Sequence, residues 1–203
     1  MLAAESPSGL ASGRIGPNAI LQTIDALVDR RSPEELTRVF VAAGIAGYLD
    51  SPPAAMVDER DVAQLHQRIR TRYPAAEWQA ILSDAGRRTG EYVMANRIPA
   101  PVRWLMQSLP ATPARAMLLS AIERHAWTFA GSGEFRAVNG EPALIEIERN
   151  PIVAGERADH PVCHWHTAVF ETLFQRLVSR RTRVLETACS AAGGSACRFE
   201  IWC

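Results

Sequence analysis

The sequence contains no lysine, because all 22 of its basic residues are arginines. Without a lysine amine the chain can form no internal Schiff base and cannot build a phosphate-binding loop that ends in Gly-Lys. The basic residues are balanced by 22 acidic ones, so the formal net charge is zero. Non-specific nucleic-acid binding requires an excess of cationic contacts to phosphate. We therefore expect no nucleic-acid partner.

Long apolar runs are also missing from the chain. No run approaches the ~18 residues of a membrane helix, and the first 19 residues lack the basic-then-apolar order of a signal peptide. We expect no transmembrane segment and a cytoplasmic location. The 203 residues are 47% hydrophobic and 22% charged, which is the composition of an ordinary globular chain.

A dinucleotide-binding signature is absent too. No G-x-G-x-x-G follows a strand and opens a helix, since the glycines of "AAGGSA" lie in a hairpin pattern and those of "GRRTG" lie in a helical one. The sequence therefore contains no NAD or flavin motif. Any redox chemistry would need a reductant from elsewhere.

The hydrophobic pattern changes period along the chain. Residues 1–16 are rich in Ser, Gly and Ala and are expected to form a flexible tail, and helical spacing then continues from Pro17 to His125. Two alternating segments follow, with turns at Asn139-Gly140 and Gly193-Gly194, and a helix lies between them. The order predicts an α+β fold in which N-terminal helices pack on a small antiparallel sheet made of two hairpins.

Chemistry is concentrated in the four cysteines, three of which lie in the last 18 residues. The second hairpin can bring Glu186, Cys189 and Cys197 together, with Cys163 at the start of the preceding helix, where the exposed N–H groups favour a thiolate. Three thiolates and a carboxylate suit tetrahedral Zn²⁺. A disulfide and a set of unliganded core thiols are the alternatives, and the spacing alone leaves all three open.

Neighbouring residues could alter that ligand set. His164 and His166 flank Cys163 and could replace Glu186, although a helical turn directs both side chains away from Cys163. Cys203 lies outside the constellation.

The order Cys163, Glu186-x-x-Cys189, seven residues, Cys197 and then Phe199 resembles the 4-vinyl reductase domain family, which includes the sensor domains of phenol-responsive transcription activators. In that family the pattern holds a structural zinc, so the resemblance implies Zn²⁺ at these three cysteines and Glu186. It covers about residues 70–202 in the order of elements and the last 40 in motif detail. We accordingly divide the chain into the 1–16 tail, a 17–70 helical segment and a 71–203 domain of this type.

Residues 97–135 resemble the bacteriochlorophyll 4-vinyl reductase branch of the family. This resemblance implies a tetrapyrrole ligand held between helices and sheet. An alignment without gaps puts Thr167 and Val184 where the phenol sensors carry bulky pocket aromatics, which leaves room for a larger ligand. The candidate ligand-binding residues are His125, Trp127, Phe129, Thr167, Val184, Arg87 and Arg124. A capping histidine, core aromatics and a solvated arginine face are the ordinary alternatives.

The resemblance thus implies a bacteriochlorophyll biosynthesis protein that binds a protochlorophyllide or Mg-protoporphyrin precursor as a carrier or accessory factor. A homodimer and contacts with pathway enzymes are further expectations. One alternative is reduction of a vinyl group of the divinyl precursor with reductant supplied by a partner, and another is a sensor module for small aromatics. Whether the chain is an enzyme stays open, with a non-catalytic binding protein favoured.

Overall fold

The computed structural model describes residues 13–203. Most of the chain before residue 130 is helical, as the apolar spacing predicts. The helices are α1 (Asn18–Val28), α2 (Pro33–Ala42), α3 (Gly47–Asp50), α4 (Glu59–Arg72), α5 (Ala75–Asn96), α6 (Ala100–Ser108), α7 (Ala111–Arg124), α8 (Trp127–Ala130) and α9 (His164–Leu177).

Two of these helices begin at side-chain caps. Ser32 accepts a hydrogen bond from the Glu35 N–H, and Pro33 occupies the first turn of α2. Asp58 accepts one from the Arg60 N–H at the start of α4. Each cap satisfies a backbone donor that the helix itself leaves free.

Both predicted hairpins are present and join into one antiparallel sheet. Its strand order is β3-β4-β6-β5, with β6 paired to β4 on one side and to β5 on the other. The inward-facing positions alternate with outward-facing ones, as in a half-buried strand. The strands are β3 (Glu134–Val138), β4 (Ala143–Glu148), β5 (Arg183–Ala188) and β6 (Ala196–Trp202).

The layer order differs from the predicted one. Helix α9 packs against β5 and α7 packs against β3, whereas α5 packs on α9 and α1 packs on α5. The sheet is therefore covered mainly by α9, and the expectation that the N-terminal helices themselves lie on the sheet is corrected. The long α5 separates them from it.

Close approach between α5 and α9 depends on glycine. A Cβ atom at Gly86 would lie 2.2 Å from the Trp165 carbonyl oxygen, and one at Gly90 would lie 2.8 Å from Thr172 Cβ. Only a residue without a Cβ fits at this contact. The two helices consequently pack backbone to backbone just behind the start of α9.

Part of the expected tail is ordered. Residues 1–12 lie outside the described part of the chain, but Arg14–Ile15 form strand β1, which pairs with β2 (Val57–Asp58). Ile15 is fully buried, and the Glu59 N–H donates to the Gly13 carbonyl. The prediction of a loose tail is therefore wrong for residues 13–16.

One cluster of buried side chains runs through both the 17–70 and the 71–203 segments, so the two share a core. Among the described residues, no helix is both long and apolar enough to cross a membrane.

Candidate functional site

The four residues of the cysteine motif come from three elements. Cys163 is the N-cap of α9, Glu186 lies in β5, Cys189 follows β5 directly, and Cys197 lies in β6 opposite Ile147. The β5–β6 register shifts after Glu186. This irregularity changes the alternation of the strand just before Cys189.

The donor atoms of this cluster meet at one point. The Cys163 Sγ lies 3.5 Å from Cys197 Sγ and 3.8 Å from Cys189 Sγ, and the last two sulfurs are 3.8 Å apart. With a Glu186 oxygen, all four ligand atoms lie within 4.8 Å of one another. Tetrahedral zinc with bonds of about 2.3 Å requires sulfurs roughly 3.8 Å apart. A disulfide requires about 2.05 Å, so the disulfide alternative does not match this structure.

One carboxylate oxygen in the cluster has no partner. Glu186 Oε2 accepts a hydrogen bond of 2.7 Å from the Cys163 N–H, whereas Glu186 Oε1 is buried without a hydrogen bond. A buried polar atom is costly unless it is satisfied. A cation among the sulfurs would provide the missing partner, so the residues present could hold Zn²⁺.

Electrostatics favour a cation as well. Burial raises the pKa of Glu186 to about 8 and raises the pKa of the Cys163 thiol well above its usual value. Hydrogen bonds from Cys163 and Cys189 lower the pKa of Cys197 to about 3. Without a counter-ion the cluster thus favours one anion and disfavours others beside it. A divalent ion offsets this repulsion and allows several donors to ionise together.

Polar groups around the sulfurs support thiolates. The Ser190 N–H donates to Cys197 Sγ across 3.5 Å, and Asn150 Nδ2 donates to Cys163 Sγ across 3.5 Å. Such outer contacts orient metal ligands and stabilise their charge. Cys203 is exposed and does not belong to the group.

Comparison with known proteins agrees with the motif. The family model of the 4-vinyl reductase domain matches residues 144–202, the segment from β4 to β6 that carries all four donors. The "Bacteriochlorophyll synthase 23 kDa chain" of Cereibacter sphaeroides is 49% identical over 188 residues, covering 93% of this chain and 90% of that one. Its namesake from Rhodobacter capsulatus is 39% identical, covering 93% and 86%.

This chain belongs to the bacteriochlorophyll synthase 23 kDa family. The resemblance inferred from the cysteine pattern and from residues 97–135 is confirmed. Among solved structures, an unliganded Fe(II) H-NOX protein from K. algicida matches 92% of this chain and 95% of its own with a TM-score of 0.53 and 11% sequence identity. At that identity the likeness concerns the fold alone.

The seven candidate ligand-binding residues of this family member do not share one location. Thr167 donates to the Cys163 carbonyl, and Val184 is buried on the inner face of β5. Phe129 packs edge to face against Phe135 at 5.5 Å and against Phe170 at 5.8 Å. These three lie around α9 and the sheet.

The remaining four lie at the surface. Arg87 forms ion pairs with Asp84 and Glu91 and lines an open cleft of about 1030 Å³ between α5 and α9. His125 and Arg124 are exposed and hydrogen-bond to carbonyls of α7, and Trp127 is 60% exposed. Their ligand-binding roles stay predictions.

The interior of the 23 kDa chain contains a polar group that the sequence reasoning missed. His66 of α4 and His166 of α9 are buried on either side of Trp165, with ring centroids 6.0 Å and 5.0 Å from the indole. Leu65 beside His66 and the alternation His164-Trp165-His166 were the available signals. His166 was considered only as a metal ligand, and the zinc-type cluster does not include it.

Proposed function

We propose that this protein binds a tetrapyrrole precursor of bacteriochlorophyll, of the protochlorophyllide or Mg-protoporphyrin type, and acts as a carrier or accessory factor in the pathway. The observation that carries the proposal is the family itself, whose members are named as chains of bacteriochlorophyll synthase and cover nearly the whole of this chain. A role in bacteriochlorophyll synthesis follows from the family, and pigment binding is the step that we add.

The cysteine cluster has a structural task in this proposal. Cys163, Glu186, Cys189 and Cys197 would hold Zn²⁺ with four protein donors, and such a site leaves no open position for a substrate. When bound, the ion supplies folding energy rather than a Lewis-acid site for the pigment. It would fasten the β5–β6 hairpin to the start of α9.

A binding role accounts for more of the chain than catalysis does. Vinyl reduction requires a hydride or electron donor, and the sequence has no dinucleotide-binding motif. The match to the 4-vinyl reductase domain is the observation that favours the rival function, reduction of a vinyl group with reductant supplied by a partner. The two functions make different predictions for the purified protein.

The test mixes zinc-loaded protein with magnesium protoporphyrin or divinyl protochlorophyllide, with and without NADPH. We expect a saturable change in the absorption spectrum, and we expect the divinyl pigment to be recovered unchanged by chromatography in both conditions. Pigment in buffer alone is the control for self-aggregation. Conversion to the monovinyl product by this chain would establish the rival function, and the absence of saturable binding to either pigment would overturn the proposal.

A homodimer is part of the same proposal. Light scattering on the zinc-loaded protein should give twice the chain mass of 22.3 kDa. A mass equal to one chain at micromolar concentration would contradict this part without affecting pigment binding.

A further inference from the structure

Two histidines in the core have no hydrogen-bond partners. His66 and His166 are 0% and 1% exposed, and none of their four ring nitrogens makes a hydrogen bond within the described chain. Buried side-chain polar atoms are nearly always paired, because leaving one unpaired costs the desolvation of that group. Two such imidazoles near each other therefore require an explanation.

The surroundings of His166 are aromatic. Its ring stacks on Phe170 at a centroid distance of 6.0 Å and lies 6.1 Å from Phe129 and 5.9 Å from Phe199. Those rings come from α9, α8 and β6, so helices and sheet converge on this imidazole. Together with Trp165 on its other side, they form a wall of flat apolar surface around two unused nitrogens.

Both imidazoles are neutral. Burial lowers the pKa of His166 to about 3, with the Phe129 backbone and Cys189 opposing the shift. Burial, Arg70 and His166 together lower the pKa of His66 well below its usual value. Each neutral ring has one N–H donor and one lone pair. The charge of Arg70 is already taken up by the ion pair with Glu156.

The aromatic wall reaches the surface at one side. Phe129 and Phe135 are only partly buried, and they contact each other edge to face between α8 and β3. Helix α8 has four residues and ends at Gly131, whose φ of 54° lies in the left-handed region. A planar ligand that enters here would take the place of the Phe129 ring against His166.

We propose that a lone pair of His166 ligates the central magnesium of a planar tetrapyrrole inserted between α8 and β3, and that His66 forms a hydrogen bond to the same ligand. A neutral imidazole is a common ligand for a metal, and flat aromatic rings stack on a macrocycle. This inference rests on the proposed function, since it names the residues that would hold the pigment. It replaces the exposed His125 with a buried histidine as the axial group.

The experiment compares magnesium protoporphyrin with metal-free protoporphyrin on the full-length, zinc-loaded protein. His166→Phe fills the same aromatic space without a lone pair, and it should weaken binding of the magnesium pigment at least about tenfold while changing the metal-free pigment by less than about twofold. His66→Phe should weaken both pigments alike, because its hydrogen bond does not depend on the metal. His125→Phe, at the surface, is the matched control and should bind both as the wild type does.

A second variant guards against misfolding. His166→Ala opens a cavity that free imidazole can fill, and added imidazole should restore affinity for the magnesium pigment alone. Zinc content and melting temperature are measured for every variant. Wild-type protein that binds neither pigment overturns the proposed function, whereas wild-type binding of both with His166→Phe losing both equally, or losing neither, overturns the role of His166 only.

Discussion

The backbone N–H of Cys163 donates a hydrogen bond of 2.7 Å to Oε2 of Glu186, 23 residues further along the chain. This contact joins the N-cap of α9 to strand β5 through groups that also belong to the cysteine cluster. Two of the four donors are thus linked before any ion is considered. Such a preset arrangement reduces the ordering that metal binding must impose.

Loss of one sulfur should release the ion and weaken the fold. We expect Cys189→Ala to lose bound zinc and to lower the free energy of unfolding by several kcal/mol, because structural zinc contributes its binding energy to folding. Metal analysis and thermal unfolding measure the two effects. Cys203→Ala removes the exposed cysteine and should change neither. Equal zinc content and melting temperature in Cys189→Ala and wild type would contradict the metal assignment.

The contact between α5 and α9 should not tolerate a methyl group. Gly86→Ala would put a Cβ 2.2 Å from the Trp165 carbonyl, and we expect a loss of roughly 1–3 kcal/mol or more as the helices separate. Urea unfolding measures the change. Gly47→Ala adds the same methyl where no atom lies within 4 Å, so its unfolding curve should stay close to that of the wild type. A Gly86→Ala curve that matched it would show that the helices can move apart freely.

A buried ion pair fixes the segment that precedes α9. Arg70 Nε donates to Glu156 Oε1 across 2.6 Å, and their side chains are 4% and 10% exposed. Arg70→Met should cost about 3–5 kcal/mol because it leaves a carboxylate buried without its partner.

The double variant Arg70→Met/Glu156→Gln tests the cause of that loss. Because it removes both charges, it should recover much of the stability in urea unfolding. A double variant no more stable than the single one would mean that packing by the arginine stem, rather than the unpaired charge, accounts for the effect.

Acid should destabilise the protein partly through His166. Its folded pKa of about 3 lies below the unfolded value of about 6.5, so the unfolded chain takes up the proton first. The contribution of this residue is complete above pH 6.5 and is lost as the pH falls toward 3. Between pH 7 and pH 5 the wild type should lose about 2 kcal/mol more than His166→Phe does.

Urea unfolding at the two pH values, with excess zinc present throughout, measures this difference. His125→Phe removes an exposed imidazole instead and should keep the wild-type pH dependence. Equal acid losses in the wild type and His166→Phe would contradict the burial of a neutral ring.

The parts of the fold that the sequence predicts are those written in local patterns. The Asn139-Gly140 and Gly193-Gly194 turns lie between strands that do pair, and period-2 alternation identifies which side chains face inward. The cluster of Cys163, Glu186 and the two later cysteines follows from one hairpin and one helix start. These features depend on residues close in sequence or on a recurring motif.

The missed features depend on distant pairs. A two-residue strand such as β1 has no period to detect, and it forms only because residues 57–58 offer an edge. The placement of α9 over the sheet is decided by which helix can approach α5 at Gly86. His66 and His166 are 100 positions apart and lie in apolar stripes, so nothing local marks them as neighbours.

Strand β6 is the last of the four in chain order, yet it lies between β4 and β5. During vectorial synthesis on the ribosome, the first hairpin and β5 emerge before the strand that unites them. Until β6 arrives, β4 and β5 each expose an unpaired edge, which can template wrong association. Assembly of this half of the molecule is therefore a late event in biosynthesis, and the nascent chain passes through an interval in which chaperone protection matters most.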